Sequence, residues 1–173
     1  MELQGKRIAI LAEDQYQVLE LWYPLLRFRE AGADVQVVGP GRAEVHQSSN
    51  GYPVKVDVKA ADVKGSDFDA VVIPGGYAPD HMRVNDDLVR IVREANEHNK
   101  VVAAICHAGW VLVSAGVLQD KRATCVRNIK DDIVNAGATY VDEEVVVDGN
   151  LITSRTPPDL PAFCREIIKA LAG

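Results

Sequence analysis

Three apolar runs constrain this chain more than any other feature: Ile8-Ala9-Ile10-Leu11, the run that closes Asp69 to Ile73, and Val101 to Ile105. Each is continuous rather than alternating, which marks a strand covered on both faces. The segments between them carry helical spacing. Tyr16 to Glu30 reads as a helix, with Pro24 predicting a kink or break and Gly32 a stop. Asp86 to His98 places Leu88, Ile91, Val92 and Ala95 on one face. His107 to Ala115, Asp131 to Asn135 and Pro158 to Leu171 read as further helices. Asp34 to Val38 reads as another strand, and Val54 to Val58 alternates as a half-exposed strand should. Glu144 to Val147 and Leu151 to Ser154 form a hairpin around Asp148-Gly149. Strands spaced by helices predict an α/β architecture with a mostly parallel, doubly wound sheet.

Composition narrows the function classes. The 173 residues show no composition shift, linker or repeat, so a single domain over 1–173 is expected. The net charge of -6 lacks the electrostatic footprint of a phosphate-backbone binder, which makes nucleic acid an unlikely partner. No apolar run approaches the ~20 residues that span a bilayer. The first residues carry no signal-peptide core, so a cytoplasmic location is expected. Cys106, Cys125 and Cys164 are odd in number and widely spaced, which argues for reduced thiols.

The chemistry concentrates at Ile105-Cys106-His107-Ala108-Gly109-Trp110, where the most apolar strand runs straight into a helix. Ligands bind beyond the carboxyl ends of such strands, and a nucleophile on a tight strand-to-helix turn is well placed to attack. A helix N-terminus behind the sulfur favours the thiolate. A plain core cysteine closing the strand is the alternative these residues leave open. His107 adjoins Cys106, but sequence neighbours rarely face each other, so it needs its own orienting acceptor. Ile73-Pro74-Gly75-Gly76 ends another buried strand, and its glycine N–H groups could form an oxyanion hole. Glu20 stands in the apolar stretch Val18-Leu19-Glu20-Leu21-Trp22, where a carboxyl must be exposed, paired or functional. His46, His81 and His98 show no metal-ligand spacing, so no metal site is expected.

Several motifs together resemble the PfpI-like branch of the DJ-1/PfpI superfamily. They are Ala104-Ile105-Cys106-His107, Pro74-Gly75-Gly76, Ile129-Lys130-Asp131-Asp132, Glu144 to Asn150 and Thr153 to Phe163. The resemblance implies a flavodoxin-like three-layer α/β sandwich related to glutamine amidotransferase domains, with no metal or organic cofactor. It makes Cys106 the nucleophile, Glu20 the carboxylate contacting it, and Gly75, Gly76 and the His107 amide the backbone donors. It also implies a homodimer or hexamer in which a carboxylate of a neighbouring subunit orients His107; Asp80 holds that position here. Three departures stand out. Ala108-Gly109 replace the usual Gly-Pro after the histidine, with bulky Trp110 next, which changes the shape expected of the substrate pocket. Gln17 stands where many relatives carry a second Glu. Val126 stands where some place Tyr.

These residues and the resemblance support three functions. The first is a stress-protective thiol enzyme acting on small reactive carbonyls such as methylglyoxal or on glycated proteins, as a glyoxalase or deglycase. The second is an intracellular cysteine peptidase using the same nucleophile. The third is a non-enzymatic redox sensor or chaperone-like stress protein, since an accessible low-pKa thiol also oxidises readily.

Overall fold

The computed structural model describes residues 1–173. A seven-stranded sheet runs in the order β10-β11-β7-β6-β1-β2-β5. Its members are β1 (Arg7–Leu11), β2 (Asp34–Gly39), β5 (Val58–Lys59), β6 (Ala70–Ile73), β7 (Val101–Ile105), β10 (Val145–Asp148) and β11 (Leu151–Ser154). Only the β10–β11 pair is antiparallel. The central strands β6 and β7 are buried at every residue, the outcome their unbroken apolar runs predict.

Helix α1 (Val18–Glu30) packs with α6 (Leu160–Ala172), while α3 (Asp86–Glu97) packs with α4 (Gly109–Ala115) and covers β6 and β7. Helices therefore flank a mostly parallel sheet. The remaining elements are short: β3 (Val45–Gln47) pairs with β4 (Pro53–Lys55), β8 (Arg122–Ala123) with β9 (Thr139–Tyr140), and α2 (Ala78–Met82) and α5 (Lys130–Asn135) fill loops. A continuous cluster of 52 buried residues forms the core, so apolar burial dominates the stability.

Three expectations need correcting. The helix predicted from Tyr16 begins at Val18, because Gln15 takes a left-handed φ of 65° and Tyr16 bridges Ser48 and Gly76 instead. Pro24 does not break α1. It costs one backbone bond, yet buried Leu21, Leu25 and Phe28 keep the helix packed on both sides of it. The single strand expected over Val54 to Val58 is two: β4 belongs to a separate hairpin and β5 to the edge of the main sheet. The period-2 pattern spans both because it senses only which side chains face inward, not which partner they pair with.

Candidate active site

The site gathers at the carboxyl ends of β6 and β7. Cys106 follows β7 with a φ of 63°, a left-handed conformation that a side-chain-bearing residue rarely adopts. Such strain persists only where the surroundings hold it, and it concentrates at functional sites. The turn then enters one 3-10 turn and α4. It also brings the neighbouring side chain round, so that Cys106 Sγ lies 3.4 Å from His107 Nδ1. Sequence neighbours rarely face each other, and the left-handed turn at Cys106 accompanies the exception here.

Two backbone N–H groups, from Gly76 and His107, point at the sulfur and favour its thiolate. Gly75 behaves differently from expectation. Its N–H donates to Glu20 Oε2 at 2.7 Å and is not free to receive an oxyanion. Its contribution is spatial: a Cβ there would sit 2.5 Å from Glu20 Oε2 and 2.7 Å from Cys106 Cβ. Gly76 needs to be glycine for a second reason, a φ of 80° that lets its backbone pass within touching distance of Gln15 and Gln17.

Glu20 has no solvent exposure. Its Oε1 is buried without a nitrogen or oxygen donor, and the carboxyl faces the Cys106 thiol. Burial pushes the Glu20 carboxyl up to about 8, against the opposing pull of the Gly75 N–H. Burial, aided by the negative charge of Glu20, pushes the Cys106 thiol up to about 12. The two cannot both be charged cheaply, so the pair gives up one proton near neutrality and holds the other.

His107 is half-buried, and burial lowers its pKa, so the imidazole is neutral at physiological pH. Tyr77 lies nearly parallel to its ring, with centroids 6.5 Å apart, and Trp110 meets it edge-on at 5.1 Å. Trp110 is fixed by an indole N–H bond to Asp132 at 3.1 Å, and the Arg83 guanidinium lies over its ring. Asp80 lies exposed in the first turn of α2 and makes no hydrogen bond to His107 within the chain. Gln17 caps α1, its side-chain oxygen accepting from Leu19 and Glu20 N–H. The Val126 N–H reaches the Cys106 carbonyl at 3.5 Å.

Sequence reasoning missed two features. Tyr77 follows the glycine pair directly, a signal that could have found it. His46 shows no ligand spacing in the sequence, yet the fold brings it against Glu13 and Asp14. Nothing in linear spacing could show that, since the gap of more than thirty residues is closed by the Tyr16–Ser48 bridge and the Gln15–Gln47 backbone hydrogen bond.

The chain has known relatives. The DJ-1/PfpI family model matches residues 6–170. The chain belongs to the DJ-1/PfpI family. It is 45% identical over 165 residues to a protein of Pyrococcus abyssi named a deglycase, covering 95% of this chain and 99% of that one. It is 42% identical to the Bacillus subtilis protein YraA, provisionally named a cysteine protease, covering 96% and 99%. A two-domain Anabaena variabilis structure with DJ-1/ThiJ/PfpI-like and ferritin-like domains superposes with a TM-score of 0.94 at 44% identity. The match covers 96% of this chain but 48% of that one, so this chain spans about half its length. The fold is that of the DJ-1/ThiJ/PfpI structures, and the names of relatives suggest enzymatic activity within the family. No helix is long and apolar enough to cross a membrane.

Proposed function

We propose that this protein is a thiol enzyme acting on small reactive carbonyls such as methylglyoxal, or on their protein adducts. One observation carries this reading: a strained Cys106 whose sulfur meets two backbone N–H groups in front and a buried, protonatable Glu20 behind. In the Cys106–Glu20 pair that has lost one proton, the remaining proton moves to Glu20 as the Cys106 sulfur bonds to the aldehyde carbon. The resulting hemithioacetal oxygen takes a proton or the Gly76 and His107 N–H groups. Neutral His107 then removes the proton from that carbon, and a proton returned to the adjacent carbon completes the internal redox shift to a thioester. Water cleaves the thioester, so methylglyoxal plus water leaves as lactate and the thiol is restored. Trp110 and Tyr77 wall the substrate space, and the deglycase name on relatives supports the same chemistry on adducts.

We further infer, from the family resemblance, that exposed Asp80 pairs with His107 of a second copy in a homodimer or hexamer. A cysteine peptidase is the second reading, favoured by the 3.4 Å contact between Cys106 and His107 and by the name of the Bacillus relative. The test is lactate formation from methylglyoxal without glutathione, beside a Cys106→Ala control. Lactate from the wild type alone is expected; no lactate from the wild type overturns the carbonyl reading.

A further inference from the structure

A second cluster of titratable groups lies where β1 ends and the β3–β4 hairpin begins. Glu13 and His46 are buried, at 3% and 0% exposure, and Asp14 is partly so. His46 Nδ1 lies 3.3 Å from Glu13 Oε1 and 3.2 Å from Asp14 Oδ1. Despite these distances, neither ring nitrogen of His46 makes a hydrogen bond. A buried Nδ1 that faces two carboxylate oxygens without a directed hydrogen bond is costly, and it is this nitrogen that calls for an explanation. Glu13 Oε1 already accepts from the Asp14 N–H and Asp14 Oδ1 from the Gln47 N–H, and, Arg42 aside, each of these carboxylate oxygens retains a lone pair for a further partner.

The spacing agrees with that account. One donor atom from each residue lies within 4.8 Å of the others. A tetrahedral zinc-type ion, with bonds of about 2.0–2.1 Å, sets its ligand atoms about 3.3 Å apart. We propose that Glu13, Asp14 and His46 form a binding site for one borderline divalent cation of the zinc type, with a fourth position left to water. An imidazole beside two carboxylates favours such ions over calcium or magnesium.

Arg42 presently supplies the positive charge. Its guanidinium pairs with Glu13 and lies 2.9 Å from Asp14 Oδ2. Its side chain is 55% exposed, so it can swing into solvent and leave the carboxylates to the ion. A hollow lined by Glu13, Pro40, Arg42, His81, Val84 and Asn85 offers the entry path. The ion would touch none of the reacting atoms of the Cys106 site. It would clip the end of β1 to β3, and so fix the Gln15 carbonyl that accepts the Tyr77 N–H at 2.9 Å beside the Cys106 site. Its role is therefore positioning, and it stands independently of the carbonyl chemistry.

The test titrates the chelator-stripped full-length protein with zinc by calorimetry, and with cobalt by absorption. One equivalent is expected to bind, equally in Cys106→Ala, and without a thiolate-to-cobalt charge-transfer band. Glu13→Gln and His46→Ala should weaken binding by about 100-fold or more, beyond the loss usual for removing an outer partner. Arg42→Ala should strengthen it roughly fivefold, the worth of a half-exposed ion pair. Should His46→Ala fail to fold, the isosteric Glu13→Gln and the exposed Arg42→Ala still decide. The proposal falls if neither wild type nor Arg42→Ala binds at millimolar zinc. It also falls if binding survives Glu13→Gln but disappears in Cys106→Ala.

Discussion

Glu13 and Glu20 are both buried carboxylates, close together in the chain, and their surroundings could hardly differ more. Glu13 lies against the Arg42 guanidinium and the His46 ring. Glu20 faces no cation; its company is one N–H group and one thiol. Burial costs a charge in either place, but a neighbouring cation repays that cost and a thiol does not. Glu13 thus has a compensating cation beside it, whereas Glu20 is built to hold a proton. That difference separates a binding cluster from a reacting one.

The largest effect should come from removing the proton that Glu20 moves. Glu20→Gln should lower kcat/KM on methylglyoxal by about 10²–10⁴-fold. The same variant should show the opposite sign in stability. A carboxyl whose folded pKa is raised from 4.5 to about 8 contributes stability below the unfolded value, and loses it as pH climbs through 8. Glu20→Gln should therefore melt higher than wild type at pH 8–9, with the gap closing towards pH 4. An unchanged pH dependence of melting would place Glu20 with Glu13 as a satisfied charge.

Gly75→Ala sharpens the comparison next. The added methyl would press on both Glu20 and Cys106, costing about 1–3 kcal/mol in denaturant unfolding along with most of the activity. Asp80→Asn should reduce turnover while leaving the melting temperature of the chain near wild type, since its carboxylate has no partner within the subunit. Activity unaffected by Asp80→Asn would remove the shared-site idea. The smallest effect belongs to the charge-holding cluster: Arg42→Ala should cost about 1 kcal/mol or less, shrinking further in high salt, because that side chain is largely solvated.

Much of the molecule was legible in the order of its residues. Unbroken apolar runs bury on both faces in any fold, so β1, β6 and β7 could be read directly, and with them the parallel sheet. Cys106 and the glycine pair were legible because strand ends in such sheets are where ligands sit. The sequence alone therefore determined the strand core and the identity of the candidate nucleophile. Only the tertiary structure decided what those residues face. The left-handed turn at Cys106 swung His107 onto the sulfur, Glu20 took the Gly75 N–H assigned to an oxyanion, and a hairpin carried His46 to Glu13 and Asp14. Periodicity records whether a side chain points inward; the partner it meets there depends on backbone turns and strand pairings between residues far apart in the chain.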